Sequence, residues 1–124
     1  MQKIASIDIG SNTVRLLILE FDENKNFQIL VSRKVITRLG EGMDIHRKLM
    51  QPRMSATISA LSTFQQDCLD HGNPLLHAVA TSAVREASNG KEFIGLARKA
   101  TGIEIEIIPW EEEARLTLEG VFWK

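Results

Sequence analysis

The chain has 124 residues, a formal net charge of −1, and 44% hydrophobic and 25% charged residues, a composition typical of one globular domain with its own core. A charge so close to zero provides no overall positive field to attract nucleic acid or a membrane surface. No apolar stretch reaches the roughly 20 residues that a membrane-spanning helix needs, and the N-terminus lacks an export signal. The single cysteine, Cys68, excludes an internal disulfide and suits a reducing compartment. We therefore expect a cytoplasmic protein in which Cys68 is buried and inert.

The first third of the chain predicts a meander of three antiparallel strands. Apolar runs at residues 4–9 and 14–21 and the alternating segment 27–37 are typical of strands, and the short polar stretches between them are typical of turns. Residues 38–51 contain two glycines and predict a loop.

The remainder predicts helices that alternate with strands. Pro52 suits the first turn of a helix that continues to about Asp70, where Gly72-Asn73-Pro74 ends it. The later elements are a strand at 75–80, a helix at about 91–101, a strand at 103–108 and a helix at about 111–121. The helical positions expected to face the core are Met54, Ile58, Leu61, Phe64, Cys68, Phe93, Ile94, Ala97 and Ala100. The order βββαβαβα predicts an α/β domain, with a mixed five-stranded sheet and helices on its faces.

The segment that follows the first strand is the main candidate site. Gly10 lets the backbone turn tightly and approach a ligand, and the N–H groups and hydroxyls of Ser11, Asn12 and Thr13 can surround phosphate oxygens. Asp8 is placed to hold a hydrated Mg²⁺ or to orient a water molecule. The alternative is an ordinary β-hairpin tip, because turns rich in Gly and Asn are common.

A second candidate segment follows the fourth strand. Arg85 can bind phosphate oxygens through two parallel hydrogen bonds, and the hydroxyl of Thr81 or Ser82 can bind a further oxygen. The alternative is a helix start at which Thr81 or Ser82 is the cap and Arg85 lies on a solvated face.

Three consecutive glutamates, Glu111, Glu112 and Glu113, open the last expected helix. Acidic residues in a first turn stabilise the helix dipole, which is enough to explain them. The functional alternative is that one of them acts as general base for a water molecule.

Other polar residues give weaker indications. His46, His71 and His77 lack the spacing of metal ligands and are interpreted as surface or packing residues. Arg33, Lys34 and Arg38 form a small basic group, which is more often a solvated face than a docking site. If the substrate is a chain of phosphates, this basic group becomes a candidate docking site for it.

Together these segments resemble the exopolyphosphatase / guanosine pentaphosphate phosphohydrolase family, and the resemblance covers almost the whole chain in order. The segments that carry it are SIDIGSNTVRLL (6–17), RLGEG (38–42), ATSAVREA (80–87), Asn89-Gly90, Glu92-Phe93, Gly102-Ile103-Glu104 and EEEAR (111–115).

The resemblance implies a fold of the actin, Hsp70 and sugar-kinase superfamily (ribonuclease H-like), with the active site in a cleft between two similar domains. Residues 10–13 would form the first phosphate loop, Asp8 would help to hold Mg²⁺, and Arg15, Thr81 and Arg85 would contact phosphate. Glu113 matches the catalytic glutamate, the base for the attacking water. The substrates implied are polyphosphate and guanosine pentaphosphate, and the full-length protein is expected to be a homodimer.

The sequence departs from the family pattern in two places, and both affect what we expect of the activity of residues 1–124. Pro109-Trp110 stands where the family usually has Ser-Gly or a similar pair, and the sequence stops at Lys124, before a second phosphate loop and second domain. We therefore expect residues 1–124 to be the N-terminal domain of a two-domain phosphatase, with little turnover alone. The alternatives are a nucleotide-dependent kinase or ATPase of the same superfamily and a non-catalytic domain that binds polyphosphate or an alarmone.

Overall fold

The computed structural model describes residues 2–109 of the chain. The last expected helix, including the three glutamates, lies outside this range. The elements of the described part are β1 (Gln2–Ile9), β2 (Thr13–Phe21), β3 (Phe27–Ile36), α1 (Met43–His46), α2 (Gln51–Asp70), β4 (Leu75–Ala80), α3 (Ser82–Glu86), α4 (Gly90–Thr101) and β5 (Ile105–Ile107).

The strands form one mixed sheet in the order β3-β2-β1-β4-β5. The first three strands are antiparallel neighbours, whereas β4 lies parallel to β1 and β5 lies parallel to β4. This is the five-stranded mixed sheet that the sequence predicts. Its carboxyl edge collects the loop after β1 and the loop after β4, because these two strands run in the same direction.

Alternation along the central strands gives the sheet two different faces. On one face the apolar side chains of β1 and β2 are fully buried, and they share a core with residues from α2 and α4. The buried positions of this core include Ala5, Ile7, Ile9, Val14, Leu16, Ile18, Leu61, Phe64, Phe93 and Ala97. The opposite face carries half-buried residues, among them Asp8 and Arg15. We call these the core face and the second face.

Most predicted elements are confirmed, with three differences. The fifth strand is shorter than predicted, because Gly102 ends α4 in a left-handed conformation (φ 78°) and only residues 105–107 pair with β4. Two short helices, α1 and α3, were not predicted, since four or five residues are too few to show a helical period. Ala100 is exposed, whereas the next residue, Thr101, is buried.

The predictions for Cys68 and the histidines agree with the structure. Cys68 is buried on α2, His46 and His77 are exposed, and His71 is half-buried. Among the described helices, none is long and apolar enough to cross a membrane.

Candidate functional site

The loop between β1 and β2 is a tight turn at the carboxyl edge of the sheet. The Gly10 N–H donates to the Thr13 carbonyl at 2.9 Å, which closes the turn. A Cβ atom on Gly10 would lie 3.3 Å from that carbonyl oxygen, so a side chain at residue 10 would crowd the turn. Ser11 and Asn12, at its tip, are exposed.

Residues 37–40 hold the carbonyl groups of this loop. The Gly40 N–H donates to the Ser11 carbonyl at 2.8 Å, and the N–H groups of Thr37 and Arg38 donate to the Asn12 carbonyl at 3.1 and 3.0 Å. Three hydrogen bonds therefore fix the two exposed residues from one side.

These hydrogen bonds also set the direction of the loop's donors. In a trans peptide the C=O and the following N–H point in opposite directions, and the described part contains no cis peptide. The N–H groups of Asn12 and Thr13 therefore point away from residues 37–40. Leu39 of that segment is fully buried in the core, which anchors the segment that supports the loop.

Asp8 and Arg15 lie on the second face, immediately below the loop. They are direct partners in the antiparallel register of β1 and β2, so their side chains share a face and are close neighbours. Both residues are half-buried. A carboxylate and a guanidinium immediately below a loop with an exposed polar tip suit a phosphate group and a cation that accompanies it.

The loop after β4 joins the same region, as the sequence predicts. The Thr81 N–H donates to the Ile9 carbonyl at 3.2 Å, and the hydroxyl oxygens of Ser11 and Ser82 lie 2.8 Å apart in a hydrogen bond. Thr81 is nearly buried, at 9% exposure. It is the N-cap residue of α3, as the alternative expects, but its side chain makes no capping hydrogen bond to the helix.

Arg85 does not lie on a solvated face. It is half-buried in α3, and its Nη1 donates to the Ile108 carbonyl at 2.8 Å. The Ile108 N–H in turn donates to the Ala80 carbonyl at 3.1 Å. Arg85 is therefore fixed at the edge where β4 and β5 end, the edge that also carries the β1–β2 loop.

The structure separates the three basic residues that the sequence groups together. Arg33 lies on the core face, where its Nε and Nη2 donate to the two carboxylate oxygens of Asp67 at 2.6 and 3.2 Å. Lys34 lies on the second face as the register partner of Arg15. Arg38 contacts the β1–β2 loop through its backbone and has a left-handed conformation (φ 53°).

Sequence reasoning missed the supporting role of residues 37–40. The hydrogen bonds are made by backbone groups, which leave no pattern of side chains to recognise. The signal that the sequence carries is Gly40, within the segment RLGEG (38–42) that contributes to the family resemblance. Glu111, Glu112 and Glu113 lie outside the described residues, as does Trp110, so the catalytic role of Glu113 stays a prediction. Within residues 2–109, no three His, Cys, Asp or Glu side chains are grouped so that they could hold a metal ion.

The sheet order and the paired loops at its carboxyl edge define a domain of the actin, Hsp70 and sugar-kinase class. Comparison with known proteins places it within this class. The family model described as the Ppx/GppA phosphatase family matches residues 17–124. The chain belongs to this family.

Individual relatives agree with that assignment. Exopolyphosphatase 1 of Mycobacterium tuberculosis is 34% identical over 119 residues, which cover 96% of this chain and 35% of that protein. The crystal structure of the Aquifex aeolicus member of the Ppx/GppA family superposes with a TM-score of 0.90 at 32% identity, covering 97% of this chain and 39% of that one. An exopolyphosphatase structure from Cytophaga hutchinsonii gives 0.91 at 31% identity, covering 97% and 38%. The chain thus spans about a third of the length of the curated relatives it matches.

Proposed function

We propose that the protein removes the terminal phosphate from inorganic polyphosphate, from guanosine pentaphosphate or from both. The observation that supports this most is the β1–β2 loop. Its carbonyls accept hydrogen bonds from residues 37–40, its Asn12 and Thr13 N–H groups point away from that segment, and Asp8 and Arg15 lie immediately below the loop. The loop belongs to a chain of a phosphatase family, and the mycobacterial relatives that it matches are named exopolyphosphatase 1.

In the proposed reaction this chain binds and orients the terminal phosphate. The N–H groups of Asn12 and Thr13 donate to its oxygens, and Arg15 neutralises part of its charge. Fixed donors that face the developing charge lower the barrier to phosphoryl transfer without having to reorganise. Arg85 is proposed as a second cationic contact, and Thr81 as a hydroxyl contact, from the loop after β4.

Asp8 fits a magnesium ion of the kind that phosphoryl transfer uses. Mg²⁺ keeps several of its waters and binds through one or two carboxylates together with substrate phosphates, so a single half-buried aspartate beside a phosphate loop is a suitable protein ligand. When bound, the ion would offset the negative charge of the phosphate oxygens. The other ligands would be waters and substrate.

The chemistry is an in-line displacement. A water oxygen forms a bond to the terminal phosphorus, the bond from phosphorus to the bridging oxygen breaks, and the water proton passes to a general base, proposed to be Glu113. The products are orthophosphate and a chain one unit shorter, or guanosine tetraphosphate from the pentaphosphate. We further propose that residues 1–124 form one wall of a cleft between two domains of a cytoplasmic homodimer.

The test is orthophosphate release by the complete gene product with Mg²⁺, from long-chain polyphosphate and from guanosine pentaphosphate. Wild type is compared with Asp8→Asn and Glu113→Gln, and Glu23→Gln, in the exposed turn at the opposite end of the sheet, is the matched control. We expect a loss of about 100-fold or more for Glu113→Gln, a loss for Asp8→Asn that higher Mg²⁺ concentrations partly restore, and none for the control. A folded wild-type protein that releases phosphate from neither substrate would instead support a kinase-like or binding-only protein.

A further inference from the structure

Three charged residues form a row across the second face of the sheet. Asp8 on β1 is the register partner of Arg15 on β2, and Arg15 is the register partner of Lys34 on β3. The row therefore starts beneath the β1–β2 loop and ends at Lys34, which is exposed on the edge strand of the sheet. Directly opposite residues of neighbouring strands have Cβ atoms about 4.5–5.5 Å apart.

Lys34 differs from its neighbour Arg33 in what balances its charge. Arg33 points to the core face and forms a bidentate ion pair with Asp67 on α2. Within residues 2–109, neither Arg15 nor Lys34 has an ion pair or a side-chain hydrogen bond. Adjacent positions of one strand thus carry one cation with a carboxylate partner and one without.

The row has a surplus of positive charge. Like charges directly opposite each other on a sheet destabilise it, and Asp8 can offset one of the two cations but not both. An anion bound across β2 and β3 would remove this repulsion. The row begins immediately below the β1–β2 loop, so an anion that begins at the loop can continue along the row.

We propose that Lys34 is a substrate-positioning residue that contacts a phosphate behind the terminal one. The substrate would then leave the loop across Arg15 and Lys34, towards the β3 edge. This inference rests on the proposed function and extends it, because it names the direction of the bound chain and assigns a residue to its second phosphate. The contact is purely electrostatic, so it suits a repeating polyanion of any length.

A contact of this kind acts on binding more than on the chemical step. An exposed charge contact contributes up to about 1 kcal/mol, so Lys34→Ala is expected to raise KM for long-chain polyphosphate about threefold to fivefold and to leave kcat nearly unchanged. Lys34→Glu is expected to raise KM further. Lys34→Arg restores wild-type KM, since it retains the charge. Raising the ionic strength is expected to raise KM of the wild type by a larger factor than KM of Lys34→Ala, because salt screens the charge contact that the variant lacks.

The experiment compares these variants of the complete gene product with Lys25→Ala and Lys25→Glu. Lys25 is an exposed lysine in the turn at the other end of β3 and serves as a control for net charge. Calorimetric binding of tripolyphosphate provides a second readout that does not depend on turnover. The proposal is supported if the Lys34 variants lose affinity and the Lys25 variants do not.

Failure of the proposed function can be told apart from failure of this inference. If wild type binds tripolyphosphate but hydrolyses nothing, the hydrolase proposal fails, and weaker binding by Lys34→Ala still supports the role of Lys34. If Lys34→Ala and Lys25→Ala have the same KM and the same affinity for tripolyphosphate, or if wild type does not bind it at all, the Lys34 proposal is overturned.

Discussion

The side-chain amide of Asn89 makes two hydrogen bonds with the backbone of Leu49. Its Oδ1 accepts from the Leu49 N–H at 2.8 Å, and its Nδ2 donates to the Leu49 carbonyl at 3.0 Å. The Ser88 N–H adds a bond to the Arg47 carbonyl at 2.8 Å. The connection between β3 and α2 is thus anchored at both ends. Its first residues, 37–40, are bound to the β1–β2 loop, and its last residues, 47–49, are bound to the start of α4.

Removing this amide is expected to destabilise the protein. Asn89→Ala leaves the N–H and carbonyl of the buried Leu49 without their partners, which costs about 1–3 kcal/mol of unfolding free energy. Asn89→Asp keeps the acceptor for the Leu49 N–H but places a carboxylate oxygen against the Leu49 carbonyl oxygen, so it should also lose stability. Urea unfolding measures both. Asn24→Ala, in an exposed turn, is the control, and an Asn89→Ala protein as stable as this control would contradict the anchoring role.

Substituting alanine for either of two glycines of α4 is expected to change the stability of the protein in opposite directions. A Cβ on Gly90 would collide with the backbone carbonyl oxygen of Val84, whereas a Cβ on the exposed Gly95 meets nothing within 4 Å. Gly90→Ala should lower the unfolding free energy by about 3 kcal/mol or more, since the backbone of α3 would have to move. Gly95→Ala should raise it by about 0.5–1 kcal/mol, because alanine restricts the unfolded chain. Equal stabilities in urea would refute the tight packing of α3 on α4.

The buried thiol of Cys68 predicts a loss of stability at alkaline pH. Burial, and secondarily the charge of Asp67, raises the pKa of Cys68 above its ordinary value. The folded state therefore holds the thiol proton more tightly than the unfolded state. The protonated thiol thus contributes fully to the free energy of unfolding below the unfolded-state pKa, near 8.5. This contribution is lost as the pH rises through the folded-state pKa.

The measurement is urea unfolding between pH 7 and pH 10 for wild type and Cys68→Ala. The chain has no tyrosine, which simplifies titration in this range. Wild type should lose stability more steeply above pH 8 than the variant. The pH dependence of the alkylation rate gives the pKa of the thiol. In Asp67→Asn this pKa should be lower than in wild type but still above the ordinary value for cysteine, because burial remains. A pKa that returns to the ordinary value would mean that burial is not the larger cause.

The sequence predicts those parts of the structure that depend on long periodic patterns. The long strands β1, β2 and β3 and the helix α2 are found, because alternation and the helical period extend over many residues there, whereas β5 has three residues and is shorter than the sequence predicts. The basic group at 33–38 shows the limit of such reasoning. The sequence indicates three nearby charges, but the strand alternation and the single partner Asp67 decide which charge is neutralised.

The candidate site was predictable only where side chains carry its chemistry. Asp8, Arg15 and the polar tip of the loop are recognisable from residue types after an apolar strand. The direction of the loop's N–H groups depends on backbone bonds from a segment 25 or more residues away in the chain, and no sequence pattern encodes it. Glu113 lies outside the described residues, so kinetic data must test its role.

Gly40 gives the most direct test of whether residues 37–40 position the β1–β2 loop for catalysis. A Cβ on Gly40 would lie 3.0 Å from the Ser11 Cβ, 3.4 Å from the Ser11 carbonyl oxygen and 3.5 Å from the Ala83 Cβ. Because Ala83 is buried in the core, the exposed Ser11 is the neighbour that moves. Displacing the loop by a few tenths of an ångström misaligns its donors, and a misplacement of about 1 Å can lower a catalytic rate on the order of 100-fold.

Gly40→Ala is therefore expected to lower kcat/KM for the preferred phosphate substrate by about tenfold, while the unfolding free energy falls by only about 1 kcal/mol. Gly95→Ala is the matched control, since it adds the same methyl group to an exposed helix and should leave kcat/KM unchanged. A Gly40→Ala protein that is destabilised but fully active would show that residues 37–40 support the fold and not the alignment of the loop. A large loss of activity at nearly wild-type stability would show that the position of Ser11 relative to residues 37–40 controls the reaction.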